Sequence, residues 1–231
     1  MIKGLEIALD IFCSLLLLLF GWILTSVASM HNRFVNISSG YDHPVPSEEA
    51  AWVMIVFVWI LPIAYLAIMH LIMTRNWRNT LLLLLSWVNT LALVIFFTSL
   101  IRHFLPSPRP YFASRCMSSR VSGYMMDASF CTNHISRHDM QSFPSGHTSL
   151  IWASWLFVLL TLSLISGTFT RTGGFWKMLL FFVVPLVVPV WMAFDRVRVG
   201  EHFFSDIIIG TLLGILIALV SFFNMDWNRL T

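Results

Sequence analysis

Ser142-Phe143-Pro144-Ser145-Gly146-His147-Thr148-Ser149 opens an apolar run that continues to Ser166 without a charged residue. That length is close to the ~20 residues a bilayer-spanning helix requires. The residues in front of the run are suited to starting a helix. Pro144 has a fixed φ that fits a first turn, and Ser145 is of the type that caps one. Gly146 admits a close approach to the backbone. The first turn of such a helix exposes unpaired N–H groups and the positive end of the helix dipole, which together favour an anion. His147 sets a titratable imidazole beside that anion. Taken alone, the stretch reads equally well as an ordinary capped helix with a histidine in its first turn.

The composition places that helix in a membrane. Of the 231 residues, 58% are hydrophobic and only 11% are charged, with a mean hydropathy of +0.80. A soluble domain carries about 25% charged residues. Six runs are long and apolar enough to span: Ile7–Ser29, Ala50–Met73, Thr80–Ile101, Thr148–Ser166, Met178–Phe194 and Phe203–Phe223. The expected fold class is therefore all-α, a polytopic membrane protein with six transmembrane helices forming a single membrane-embedded domain over residues 1–231. The first run exceeds a signal-peptide core of roughly 7–15 residues and lacks an evident cleavage site, so it reads as a retained membrane helix. Pro62, and Pro185 with Pro189, are expected to kink the second and fifth runs. Gly210 and Gly214 have the small-xxx-small spacing of a close helix contact. The net charge of +3 is not gathered into a basic stripe with interleaved aromatics, so nucleic acid is not an expected partner.

The connections are unequal. Thr74–Asn79 and Gly167–Lys177 are short and carry Arg75, Arg78, Arg171 and Lys177. The segments Met30–Glu49, Arg102–His147 and Asp195–His202 fall on the opposite side if all six runs span. Basic residues occur on both sides, so the positive-inside tendency alone does not decide. With the arginines of the candidate site set aside as ligand-binding, the short basic turns are cytoplasmic and the longer segments extracytoplasmic. The tripeptide Asn36-Ile37-Ser38 is an N-glycosylation acceptor sequence on that second side. Cys116 and Cys131 share the long central segment, which holds little that would build a core of its own. They are expected to pair if the segment faces an oxidising space. Cys13 reads as a packing residue within the first run, and His70 as an interface residue near the Thr74 turn. No Cys/His spacing resembles a zinc site, so no metal and no cofactor is expected.

Three polar motifs share the extracytoplasmic side. Arg102 and Arg109 lie seven residues apart around a proline-stiffened segment, and Arg is suited to planar, bidentate recognition of phosphate. The same pair would also serve as snorkelling interface anchors. The second motif is Pro144 to His147. The third runs from Arg196 to Asp206. His202 and Asp206 are four residues apart and share a helical face, the spacing at which a carboxylate can orient an imidazole or simply satisfy it.

In this order, Arg102-x6-Arg109-Pro110, Pro144-Ser145-Gly146-His147 and Arg196-x5-His202-x3-Asp206 resemble the tripartite signature of the type 2 phosphatidic acid phosphatase superfamily, the lipid phosphate phosphatases. Pro110–Cys116 also resembles the eukaryotic-type members. The family usually has Lys at the place of Arg102 and Ser at the place of Asp195. The resemblance implies that His202 is the nucleophile and forms a phosphohistidine, and that Asp206 orients it. It implies that His147 protonates the leaving group and then activates water. Arg102, Arg109 and Arg196 would hold the phosphoryl oxygens, with Ser145 and Gly146 donating from the helix start. No metal is implied, and the substrate would be a lipid phosphate with its chains in the membrane. Arg198, Glu201, His103 and Asp195 flank the motifs without an assigned role. Other readings of the same residues are phosphotransfer to an acceptor other than water, hydrolysis of a soluble sugar phosphate, and non-catalytic binding of phospholipid headgroups.

Overall fold

The computed structural model describes residues 2–27, 43–46, 51–116, 131–168, 174–225 and 227. The acceptor sequence Asn36-Ile37-Ser38 and Arg171 lie outside these residues. In chain order the helices are α1 (Ile2–Val27), α2 (Ala51–Met54), α3 (Leu61–Thr74), α4 (Trp77–Phe104), α5 (Phe112–Cys116), α6 (Gly146–Ile165), α7 (Gly174–Met178), α8 (Val184–Arg198) and α9 (Phe204–Phe223). Five helical stretches are long and apolar enough to cross a membrane: Ile7–Val27, Ile55–Thr74, Trp77–Phe104, Gly146–Ile165 and Phe204–Phe223. The remaining expected run, Met178–Phe194, is not among these five. It lies in the helical stretch from α7 to α8.

Helix α6 is the centre of the bundle. It packs on α3, α4, α8 and α9, whereas α1 packs mainly on α4. The core joins Leu83, Trp87, Leu91 and Val94 of α4 to Ala153, Phe157, Val158 and Leu162 of α6, with Leu66 of α3 and Ile217 and Ala218 of α9. Because α1 has so few neighbours, Cys13 is exposed on its outer surface instead of packed. His70, expected at the interface, is fully buried, and its Nδ1 lies 2.7 Å from Thr80 Oγ1 across the α3–α4 turn.

The prolines act through the backbone ladder. Pro62 and Pro185 each follow a π-helical segment, Ile55–Ile60 and Leu179–Val183. In the first, Leu61 N–H donates to Val56 O, a five-residue step. Continuing that register, position 62 would donate to Phe57 O, but proline has no N–H. The indole Nε1–H of Trp155 on α6 donates there instead, at 2.9 Å, and Ser154 Oγ donates to Val58 O at 2.8 Å. The second segment repeats the device. Val184 N–H donates to Leu179 O, Pro185 leaves Leu180 O without its partner, and the Tyr65 hydroxyl donates to it at 3.3 Å. In hydrocarbon an unsatisfied carbonyl costs several kcal/mol, so these side chains fix how α6 and α3 sit against the interrupted helices.

Gly210 and Gly214 do mark a close contact. A Cβ at Gly210 would fall 2.6 Å from Ser145 O, and one at Gly214 would collide with Ser149 O. Helix α9 thus lies directly on the first turns of α6.

At the opposite end from the α3–α4 turn, the segment after α4 pairs with the segment before α6. Ser107 N–H donates to Met140 O, Ser142 N–H to Ser107 O and Arg109 N–H to Asp139 O, each at 2.9 Å. A Cys116–Cys131 disulfide closes the segment between them. Contrary to the sequence-based expectation, this polar region does bury a small core of its own: Phe112, Cys116, Ile135 and Met140. Two widely spaced cysteines and a few scattered apolar residues give no periodic signal, which hides such a cluster in the sequence.

Candidate active site

The ends of α4, α6, α8 and α9 bring the three motifs together. Ser145 caps α6, its Oγ accepting from Thr148 N–H at 3.3 Å, so His147 falls in the first turn. Asp206 caps α9 by accepting from Phe203 N–H at 3.0 Å, so His202 stands just ahead of that helix. The rings of His147 and His202 meet edge to face, 5.8 Å between centroids.

His202 is buried, and its two nitrogens differ. Nδ1 lies 2.9 Å from the carbonyl of Ser142. A carbonyl only accepts, so Nδ1 carries the hydrogen and Nε2 the lone pair. Nε2 is buried with no hydrogen-bond partner among the described residues. Burial lowers the His202 pKa well below the usual histidine value. The positive charges of Arg109, His147 and Arg102 lower it further, against the opposing hydrogen bond to Ser142. The site thus holds a neutral imidazole with an available lone pair, which is the nucleophilic form.

Asp206 supports His202 less directly than the spacing suggests. Its Oδ2 is 3.8 Å from His202 Nδ1, beyond hydrogen-bond range. It accepts instead from the Ser142 hydroxyl at 2.5 Å. Ser142 therefore links the two, with its carbonyl on the imidazole and its hydroxyl on the carboxylate. Nothing in the sequence marks a backbone carbonyl for that part.

Arg109 and Arg102 lie close enough for their charges to act on His202. Arg102, at the end of α4, donates from Nε and Nη2 to Pro144 O at 3.1 and 3.0 Å. Its guanidinium lies against Gly146, where a Cβ would fall 3.0 Å from Nη2. The close approach that Gly146 permits is therefore taken by Arg102 in this structure. Ser145 also differs from expectation. Its N–H donates to Asp206 O at 3.1 Å across the α6–α9 junction, and its hydroxyl is occupied in the cap of α6 itself. Arg109 is buried and forms an ion pair with Glu201, a residue to which the sequence assigns no part. Arg196 pairs with Asp195 at 2.7 Å, and Arg198 with the other oxygen of the same carboxylate at 2.8 Å. Asp195 thus turns to the two arginines of its own helix. His103, beside Arg102, stacks edge to face on Phe104.

Below the arginines, Asp139 accepts from Ser136 N–H and Oγ at 2.7 and 2.8 Å and from the Tyr111 hydroxyl at 3.0 Å. Burial, and then the Asp139 carboxylate against the pull of Arg109, pushes the Tyr111 phenol up to about 12. Among the described residues no group of three or more His, Cys, Asp or Glu is arranged to hold a metal ion.

A buried neutral imidazole, a second imidazole facing it and the nearby positive charges of Arg109 and Arg102 can together bind an anionic tetrahedral group, attack it and move a proton. The PAP2 superfamily model matches residues 83–230, which contain all three motifs. Among curated proteins, the probable diacylglycerol pyrophosphate phosphatase 1 of Schizosaccharomyces pombe is 30% identical over 128 residues, covering 53% of this chain and 46% of that protein. The probable lipid phosphate phosphatase 4 of Arabidopsis thaliana is 30% identical over 131 residues, covering 55% and 42%. The chain thus matches less than half the length of these two relatives. The diacylglycerol pyrophosphate phosphatase 1 of Saccharomyces cerevisiae is 27% identical over 90% of this chain and 76% of its own. A solved structure, a PAP2-type phosphatidylglycerolphosphate phosphatase from Bacillus subtilis, covers 90% of this chain and 93% of that one with a TM-score of 0.45 and 19% identity.

Proposed function

The chain belongs to the PAP2 superfamily, and from that premise we propose that it is an integral-membrane phosphatase acting on the phosphomonoester or pyrophosphate group of a lipid. The observation that carries the reading is the His202–His147 pair, one imidazole tied at Nδ1 with Nε2 available and the other 5.8 Å away.

His202 Nε2 attacks phosphorus, forming a P–N bond as the P–O bond to the lipid breaks. His147, protonated, gives its proton to the departing oxygen. Water then attacks the phosphohistidine and loses a proton to His147, the P–N bond breaks, and inorganic phosphate leaves with His202 restored. Arg102, Arg109 and Arg196 balance the charge on the phosphoryl oxygens, so the step as written uses positioning and fixed positive charge in place of a metal. The Ser142 carbonyl holds the imidazole in its productive tautomer, and Asp206 fixes Ser142 through its hydroxyl.

We read the stretch from α7 to α8 as a sixth crossing, which returns the chain to the site before α9. The site then faces the lumen or the outer surface. Arg75, Arg78 and Lys177 at the other end and the Cys116–Cys131 disulfide at this one support that orientation. The acyl chains of the substrate would remain in the bilayer while its headgroup reaches the boundary.

The test is phosphate release by purified protein in detergent micelles, with phosphatidic acid, a lipid pyrophosphate and a sugar phosphate side by side in excess EDTA. Release from the lipids supports the reading. Release from the sugar phosphate alone, or strict dependence on added magnesium, contradicts it.

A further inference from the structure

The guanidinium of Arg109 is held on both arms by the protein. Nε donates to the carbonyl of His138 at 3.0 Å, and Nη2 lies 2.8 Å from His138 Nε2. Nη1 donates to the Glu201 carbonyl at 3.4 Å and pairs with its carboxylate. A guanidinium has five donors and no acceptor. His138 Nε2 must therefore accept, and the ring is neutral with its hydrogen on Nδ1. One residue thus takes Nε–H and Nη2–H together, the edge that a carboxylate takes in a bidentate pair.

His138 is itself set in place. It belongs to the 3₁₀ turn Arg137–Met140, whose Asp139 caps Ser136, accepts from Tyr111 and through its carbonyl accepts from Arg109 N–H. The charged and titratable groups around the contact are Arg137 and Asp139 on its own turn, Tyr111 and Arg115 on the segment after α4, and Glu201 and His202 before α9. Arg115 lies 3.5 Å from Asp139. The charge of Arg109 is strong enough at His202 to depress that imidazole.

We propose that His138 is the positioning residue for Arg109. Its carbonyl and Nε2 fix one edge of the guanidinium, Glu201 balances the other arm, and the positive charge is thereby held beside His202 for the phosphoryl group. The inference rests on the phosphatase reading above. It makes the affinity for a phosphate-like anion depend on an acceptor at position 138.

Orthovanadate binding to the full-length protein in micelles, read by calorimetry, tests this without turnover. His138→Met removes the acceptor at similar length, while His138→Gln keeps one near the place of Nε2. The carbonyl contact survives in both. His138→Met should weaken vanadate binding about tenfold, which corresponds to about 1.4 kcal/mol, and raise KM by a similar factor. His138→Gln should stay within about twofold of wild type. A merely structural role would lower kcat through loss of active protein and leave vanadate affinity unchanged. Equal vanadate affinity in wild type and His138→Met overturns the inference. So does a His138→Gln variant as weak as His138→Met, or a wild type that binds no vanadate. Wild type that binds vanadate in a His138-dependent way but releases no phosphate from lipids would contradict the phosphatase reading instead.

Discussion

His202 turns Nδ1 to the carbonyl of Ser142 at 2.9 Å, while the carboxylate of Asp206 stands 3.8 Å away and takes the Ser142 hydroxyl. The imidazole is thus oriented by a backbone group that substitution at position 142 cannot remove. Ser142→Ala should therefore lower kcat by no more than about a hundredfold, the loss of one hydrogen bond to a carboxylate being worth roughly 1.5–3 kcal/mol at most. Asp206→Ala removes the charge behind the imidazole and also the cap of α9, so kcat should fall further and the unfolding midpoint should drop, with about 1 kcal/mol from the cap. Steady-state kinetics and thermal unfolding in micelles check both. A Ser142→Ala loss equal to that of Asp206→Ala would show that the hydroxyl, not the carbonyl, orients His202.

Helix α9 rests on the start of α6 through Gly210. Gly210→Ala would place a Cβ 2.6 Å from Ser145 O, against backbone that cannot rotate away. The variant should be less stable by about 1–3 kcal/mol, the range for overpacking, and should lose activity because the displaced segment carries His147. Wild-type stability and turnover in Gly210→Ala would contradict the close packing.

The depressed pKa of His202 makes a pH prediction. The unfolded chain binds a proton at this residue below about 6.5, whereas the folded chain does so only at much lower pH. Folding stability linked to His202 is therefore present above about 6.5 and is lost progressively as pH falls below it. The nucleophile remains neutral through the same range, so protonation of His202 should not produce an acid limb of kcat/KM near the ordinary histidine value. A limb near that value that disappears on replacing His147 would belong to His147. A limb there that survives the replacement would contradict a depressed His202.

Much of this arrangement is legible in the sequence, for identifiable reasons. Long apolar runs and ordered polar motifs depend on residue identity and spacing, which a sequence displays directly. The His202/Asp206 spacing suggests one helical face, whereas only Asp206 lies within α9 and His202 stands just ahead of it. The spacing does not reveal that Ser142 comes between them, because the contacts join positions 60 and 64 residues apart, the first through a backbone oxygen and the second through a hydroxyl. The Arg109–Glu201 pair is hidden in the same way, since Glu201 reads only as a neighbour of His202. Pro62 and Pro185 announce interruptions of their helices. The answering donors, Trp155, Ser154 and Tyr65, look in the sequence like ordinary residues of other runs.

Orientation is open to a direct check. Asn76 and Asn133 are exposed at opposite ends of the described structure. With Cys13 replaced by Ser, Asn133→Cys should react with an impermeant thiol reagent on intact cells or sealed vesicles of native orientation. Asn76→Cys should react only after permeabilisation. The reverse pattern would place the site in the cytoplasmic leaflet.

The central claim is that His202 carries the phosphoryl group. His147→Ala should still permit attack on a phosphate with a good leaving group but slow the hydrolysis that follows. Rapid quenching of that variant under alkaline conditions, which preserve phosphohistidine, followed by peptide mass spectrometry, reads the intermediate directly. The account predicts one added phosphoryl group on His202, absent from the His147→Ala/His202→Ala double variant, with no phosphate release by His202→Ala alone. Phosphate release by His202→Ala at the wild-type rate, or a phosphoryl group trapped on any other residue, would contradict it.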